Sequence, residues 1–261
     1  MHGPALTGIP QEALEALHSV LKNHFELSDD SLPSLHKVES ASANDASHLL
    51  AIYPSGRQIG LKAADRIVQG TAKEDVVSSV MKELEIPGHS PSMLCSGVPQ
   101  LGSIADRAFV ATEWNRGLNL GHATQDDCTS IAQSPEGFLE AYGEWVVGCL
   151  VCDVGDDKSK HWIWDEASGT LTHVDHEESF NGGGTPKNYI APLATTGFYS
   201  KVKTVGSPER AALVRGIERA AKRAEDKKQQ LKTIVEGAGL KLSDWINKGP
   251  NQFSSDFVSG L

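Results

Sequence analysis

The sequence contains no uninterrupted apolar run of the roughly 18 residues that a membrane-spanning helix requires. Its opening stretch, "MHGPALTGIPQEALEALHSVL", lacks a basic segment leading into an apolar one, so no secretory signal is expected either. Positive charge is not in excess: 34 acids stand against 24 bases, a net charge of -10 at pH 7. A basic face for nucleic acid or anionic lipid is therefore not expected, and a cytoplasmic setting is. Cysteine is scarce, with four residues. Cys149 and Cys152 form one Cys-x-x-Cys pair, yet no second such pair or Cys/His pair completes a zinc site. Cys149 instead continues the helical stripe Phe138, Leu139, Tyr142, Trp145, Val146, and Cys152 extends it, so both are read as core thiols. No internal repeat is present. With 261 residues and 39% hydrophobic content, the chain can bury one large core or two small ones.

What remains can be ordered along the chain. "PQEALEALHSVLKNHF" has the period of an amphipathic helix and reads, with its polar sequel, as a lead-in over residues 1–35. "SHLLAIYPSGRQIGLKAA" places two apolar runs around a Pro-Ser-Gly turn, a hairpin with Lys62 at the end of its second strand. "TAKEDVVSSVMKELEIPG" sets Val76, Val77, Val80, Met81 and Leu84 on one helical face, with Thr71 as the expected N-cap and Pro-Gly as the stop. "RAFVATEW" is a further strand. Ser134-Pro135-Glu136 opens a long helix. Next, "HWIW" and "TLTHV" flank the turn "DEASG", a second hairpin with Asp156 just before it and Asp175 just after it. Residues 181–206 are too rich in Gly, Thr and Asn for long regular structure. One long helix is expected from Ser207 to about Val235, with a short tail helix around Trp245.

A hairpin joined by a tight turn brings its outer ends together, so Asp156 and Asp175 are expected to approach each other. In phosphoryl transfer a strand Lys neutralises nucleotide phosphates, one acid orients the attacking hydroxyl, and a second holds the bridging metal. Lys62, Asp156 and Asp175 are the candidates for these roles. The order of elements is that of an α+β, protein-kinase-like fold with a small β-rich N-lobe (36–115) and a mostly helical C-lobe (116–261).

The stretch "DDKSKHWIWDEASGTLTHVDHEESF" resembles the HipA-like and phosphatidylinositol 3/4-kinase-like branch of the kinase superfamily. That branch shows a catalytic Asp, a metal-binding Asn five positions on, a short hairpin, and an Ile-Asp-His-like metal motif. The resemblance implies Asp156 as catalytic acid, Asp175 as metal ligand, ATP as donor, and Mg2+ or Mn2+ as the cofactor. It implies that Glu74, in the helix ending at "EIPG", pairs with Lys62, and that Glu113 and Trp114 in "FVATEW" lie where adenine binds. Two departures stand out. His161 occupies the Asn position, where an imidazole suits Mg2+ less well than an oxygen ligand, leaving Asp157 as the substitute. The glycine-rich phosphate loop is missing, with "ESASANDASHLL" in its place.

Plainer explanations compete for each residue. Lys62 alone would be a solvated strand end. Thr71-x-x-Glu74 is a capping box, with Glu83 as the other candidate partner of Lys62. Asp156 and Asp157 alone would be turn acids. His173 and His176 could ligate a hydrolase metal, and Trp162 and Trp164 are expected to pack the hairpin. The readings are thus a kinase acting on a protein Ser/Thr or small-molecule hydroxyl, a pseudokinase that binds nucleotide or a partner, or a metal-dependent hydrolase. No nucleic-acid or membrane partner is expected.

Overall fold

The computed structural model describes all residues except 1, 29, 39–47, 64–66, 69–70, 102–107, 115–116, 125, 156–158 and 177. The chain divides into two units, Met1–Asp75 with Ser90–Trp114, and Val76–His89 with Asn115–Leu261. The first is β-rich and the second mostly helical, the α+β division that was expected.

The first unit runs β1 (His2–Ala5), α1 (Gln11–Phe25), β2 (Ser34–Val38), β3 (His48–Ile52) and β4 (Gln58–Ala63). A two-residue ladder, β5 (Ile67–Val68) with β6 (Thr71–Ala72), leads into α2 (Lys73–Glu83), whose residues from Val76 onward belong to the second unit. β7 (Ser92–Cys95) and β8 (Phe109–Glu113) complete an antiparallel sheet of order β1-β2-β3-β4-β8-β7. The Pro54-Ser55-Gly56 turn between β3 and β4 forms as its residues require: Gly56 adopts φ +85°, and its N–H donates to the Tyr53 carbonyl at 2.8 Å. Ala13, Leu17, Leu21 and Phe25, four residues apart on α1, meet Leu35, Leu49, Ala51, Ile59, Leu61, Phe109 and Ala111 in one core. The N-terminal helix is thus part of this unit's core.

The second unit adds β9 (Leu118–Asn119), α3 (Thr129–Gln133), α4 (Pro135–Val151), β10 (Trp162–Asp165) and β11 (Thr170–His173). Then follow α5 (Ile190–Thr195), α6 (Tyr199–Lys203), α7 (Pro208–Asp226), α8 (Lys228–Gly237) and α9 (Pro250–Gly260). The expected hairpin forms, with Trp162 opposite His173 and Asp165 opposite Thr170, and β9 adds a third strand that the preceding loop did not announce. Trp162 and Trp164 are buried in the core, and all four cysteines are buried and form no disulfide. Burial pushes the Cys95 thiol up to about 12, so it is inert at neutral pH. The expected single helix after Ser207 is broken at Lys227, whose ammonium donates to the Glu83 carbonyl at 2.7 Å and to Glu85 Oε1 at 2.7 Å. This tie to the end of α2 turns the chain where the periodicity showed no break.

α4 and α7 cross closely enough to need glycine on both. A Cβ at Gly216 would lie 2.1 Å from the Glu140 carbonyl oxygen, and one at Gly143 would lie 2.5 Å from that of Leu213. Beside this crossing Arg215 bridges Glu136 and Glu140, Arg219 bridges Glu140 and Glu144, and Arg223 reaches the buried Glu144. Gly216→Ala is expected to force the helices apart and destabilise the protein by about 2 kcal/mol. Urea unfolding checks this, and an unchanged midpoint would contradict the close crossing.

Candidate active site

Alternation along β4 sends Ile59 and Leu61 into the α1 core and Gly60 and Lys62 to the opposite face. Lys62 lies on a central strand, across from His48 of β3 and Val110 of β8. Its ammonium sits 3.6 Å from Glu74 Oε1, with the two side chains 23% and 12% exposed. Glu74 is in the first turn of α2. α2 starts at Lys73, two residues after the expected N-cap Thr71, which pairs with Val68 in a two-residue ladder. Glu83, the other candidate partner, lies 3.6 Å from Lys227 instead. Next to Glu74, Asp75 accepts the Leu94 N–H at 3.4 Å; burial raises its pKa, while that amide and His24 oppose the rise.

Glu113 closes β8 and its carboxylate accepts from Arg57 Nε at 2.8 Å. The amides of Glu113 and Trp114 donate to the carbonyls of Pro91 and Gln58, at 3.2 and 2.9 Å. Neither N–H is therefore open to a base edge. Trp114 is 41% exposed, and its indole covers Gly60, where an added Cβ would stand 3.0 Å from the ring. It thus shares a sheet face with Lys62, an apolar surface beside a cation.

In the second unit the hairpin extends past its last ladder pair, as the Val174 N–H donates to the His161 carbonyl at 2.9 Å. This sets His161 and Asp175 side by side at the open end. His161 Nε2 lies 3.5 Å from Asp175 Oδ2, with the imidazole 5% and the carboxylate side chain 37% exposed. Asp175 adopts φ +69°, and Asp153 and Phe180 nearby in sequence also have positive φ, at 54° and 60°. Left-handed backbone in non-glycine residues is uncommon and gathers at functional sites. Asp156 and Asp157 lie outside the described residues, as do residues 39–47 of the glycine-free segment.

His173 and His176 lie among the aromatic side chains of the second unit. Both are buried, with ring centroids 4.8 Å apart, and pack against Trp145 at 6.1 and 6.3 Å. Burial, then the neighbouring His161, holds His173 down at about 3; burial and then His173 keep His176 well below the usual imidazole range. They are neutral packing groups. Among the described residues, no group of three or more His, Cys, Asp or Glu side chains is placed to hold a metal ion. The exposed Asp175 carboxylate suits one that takes its remaining ligands from phosphate and water, as Mg2+ commonly does. His161 would add a nitrogen donor, which suits Mn2+ better.

Solved structures give a set of remote likenesses. The chain is similar to the FAT and kinase domain of CtTel1, at 13% identity and a TM-score of 0.44 over 90% of this chain and 22% of that one. It is also similar to WaaP in complex with acyl carrier protein, at 13% and 0.39 over 77% and 86%. The GDP and kanamycin complex of APH(2″)-IIia matches at 10% and 0.38 over 94% and 99%. Against the CtTel1 chains, this one spans only 11% and 22% of their length. No protein-family model matches the sequence, and no curated protein does.

Sequence reasoning passed over a buried acid at the end of α4. Asp153, 8% exposed, accepts from the Gly184 N–H at 2.7 Å and from the Gly182 N–H. The only trace in sequence was an acid after a helix and a Gly-Gly-Gly run some way downstream, two features that nothing local connects. Among the described residues no helix is long and apolar enough to cross a membrane.

Proposed function

We propose that this protein is a phosphotransferase that moves the γ-phosphate of ATP, with a divalent metal ion, to a hydroxyl group. The observation that carries the reading is the Lys62–Glu74 pair: a central-strand ammonium held by a carboxylate in the first turn of the next helix. A lysine so held is kept extended and charged, ready to offset phosphate charge. Asp175 would hold the metal, helped by His161 or Asp157, and Asp156 would accept or orient the acceptor hydroxyl. The metal would supply charge neutralisation at the phosphates. Trp114, beside Gly60 on the lysine face, offers the adenine a stacking surface, while Glu113 is engaged with Arg57. The acceptor is a protein Ser/Thr or a small-molecule alcohol.

A second reading, nucleotide binding without transfer, is favoured by His161, since the imidazole next to Asp175 brings nitrogen where Mg2+ takes oxygen. Two measurements separate the readings. A thermal-shift panel of nucleotides with Mg2+ or Mn2+ is expected to show a metal-dependent rise with ATP. Release or transfer of label from γ-labelled ATP is then expected for the wild type, and its absence despite binding would select the second reading. No shift with any nucleotide would discard both. Glu74→Gln is expected to lower turnover about tenfold with little change in melting temperature, because it frees Lys62 from its held position. Equal turnover in that variant would remove the role given to the pair.

A further inference from the structure

We propose that Asp153 is a positioning residue for this reaction, clamping the chain that enters the acid-bearing loop to the chain that leaves Asp175. The proposal rests on the phosphotransferase reading. α4 ends at Val151, and the next residues lead towards Asp156. On the other side of the hairpin, Asp175 is followed by the glycine run 182–184. These two segments, remote in sequence, are joined in parallel by several bonds. The Phe180 N–H donates to the Cys152 carbonyl at 2.8 Å, the Tyr189 hydroxyl to the Val154 carbonyl at 2.9 Å, and Asn188 Nδ2 to the Gly155 carbonyl at 2.6 Å. Asp153 is the centre of the set, since its two oxygens take the amides of Gly182 and Gly184 separately.

The glycines make room for this. A Cβ at Gly184 would stand 3.0 Å from Asp153 Oδ1, and one at Gly155 would stand 3.4 Å from the Gly183 Cα. The acid itself is held at φ +54°, a conformation in which a glycine would be more comfortable. A side chain is therefore retained at a backbone position that disfavours one, and what it does there is bind two main-chain amides of the other segment. A carboxylate is suited to this because it is an acceptor only, with two oxygens for two N–H groups. The consequence is a fixed spacing between the backbone that precedes Asp156 and the backbone that follows Asp175. Phosphoryl transfer depends on positioning, so loosening this clamp acts on turnover more than on nucleotide affinity.

The test compares wild type, Asp153→Gly and Asp153→Asn in four measurements: melting temperature, Mg2+-ATP thermal shift, amide exchange at Gly182 and Gly184, and turnover of γ-labelled ATP. Glycine relaxes the left-handed backbone while deleting the carboxylate, so the fold is expected to persist with a melting temperature within a few degrees. Exchange at the two amides should speed up and the nucleotide shift should remain. Turnover should fall about 100-fold with KM for ATP changed by less than roughly threefold. Asp153→Asn keeps one acceptor and tolerates positive φ, and is expected to recover part of the loss. Unchanged turnover or unchanged amide exchange in Asp153→Gly overturns the proposal, as does loss of turnover only in proportion to melting temperature and nucleotide binding. A wild type that shows no Mg2+-ATP shift and no turnover instead fails the phosphotransferase reading itself, and the positioning role falls with it.

Discussion

Asp175→Asn is expected to abolish the metal-dependent thermal shift with ATP while leaving the unliganded protein folded. Asparagine is the informative substitution because Asp175 sits at φ +69°, where Asn is tolerated and Ala is strained. It keeps the shape of the side chain and removes the charge that a divalent cation needs. For the wild type, a ligand at a hundredfold excess over Kd adds about 2.7 kcal/mol of stability. At about 2 to 4 °C per kcal/mol for a chain of this size, the rise is several degrees and easily measured. The variant should show almost none of it with Mg2+. His161, 3.5 Å from the same carboxylate, makes Mn2+ the sharper control, since an imidazole can still ligate it. A full Mg2+-ATP shift in Asp175→Asn would remove this residue from the metal site.

Acid should unfold this protein earlier than its carboxylates alone would require. His173, held at about 3 by burial and then by His161, and His176, held well below its usual range by burial and then by His173, are both neutral when folded. In the unfolded chain each takes a proton near pH 6.5. Between about pH 6.5 and pH 3 the unfolded state therefore binds more protons. Stability is fully present above that window and falls as the pH drops through it. From pH 7.5 to 5.5, where ordinary carboxylates stay ionised, the two histidines together should remove roughly 3 kcal/mol. That is a large share of the roughly 5 to 15 kcal/mol typical of a folded protein. Urea midpoints at the two pH values measure the loss directly. His176→Phe, which preserves an aromatic ring against Trp145, should halve it, and a midpoint independent of pH would show that these imidazoles are not buried as described.

Much of the chain was legible before any coordinates. The period of four along α1, the Pro-Ser-Gly turn, the valine face of α2 and the strand–turn–strand around Asp165 to Gly169 are all local patterns, and each formed in its expected place. The ends were less secure. Thr71 has the composition of an N-cap, yet it pairs with Val68 in a two-residue ladder and the helix starts at Lys73, two residues on. Lys227 sits within an unbroken helical period, but its bonds to Glu83 and Glu85 come from more than a hundred residues away. For Lys227 the competing partners are distant, and no local window shows them.

The candidate site divides along the same line. By itself the sequence determined the candidates, namely a strand lysine, acids either side of a hairpin and a histidine at its start, because these rest on residue type and short spacing. Only the tertiary structure decided among their neighbours. It paired Lys62 with Glu74 and left Glu83 to Lys227, it turned His173 and His176 into a tryptophan-lined core, and it brought Asp153 to Gly182 and Gly184. Hydrogen-bond and ion-pair partners are set by which segments pack together, and packing is a property of the whole chain that no window of sequence contains.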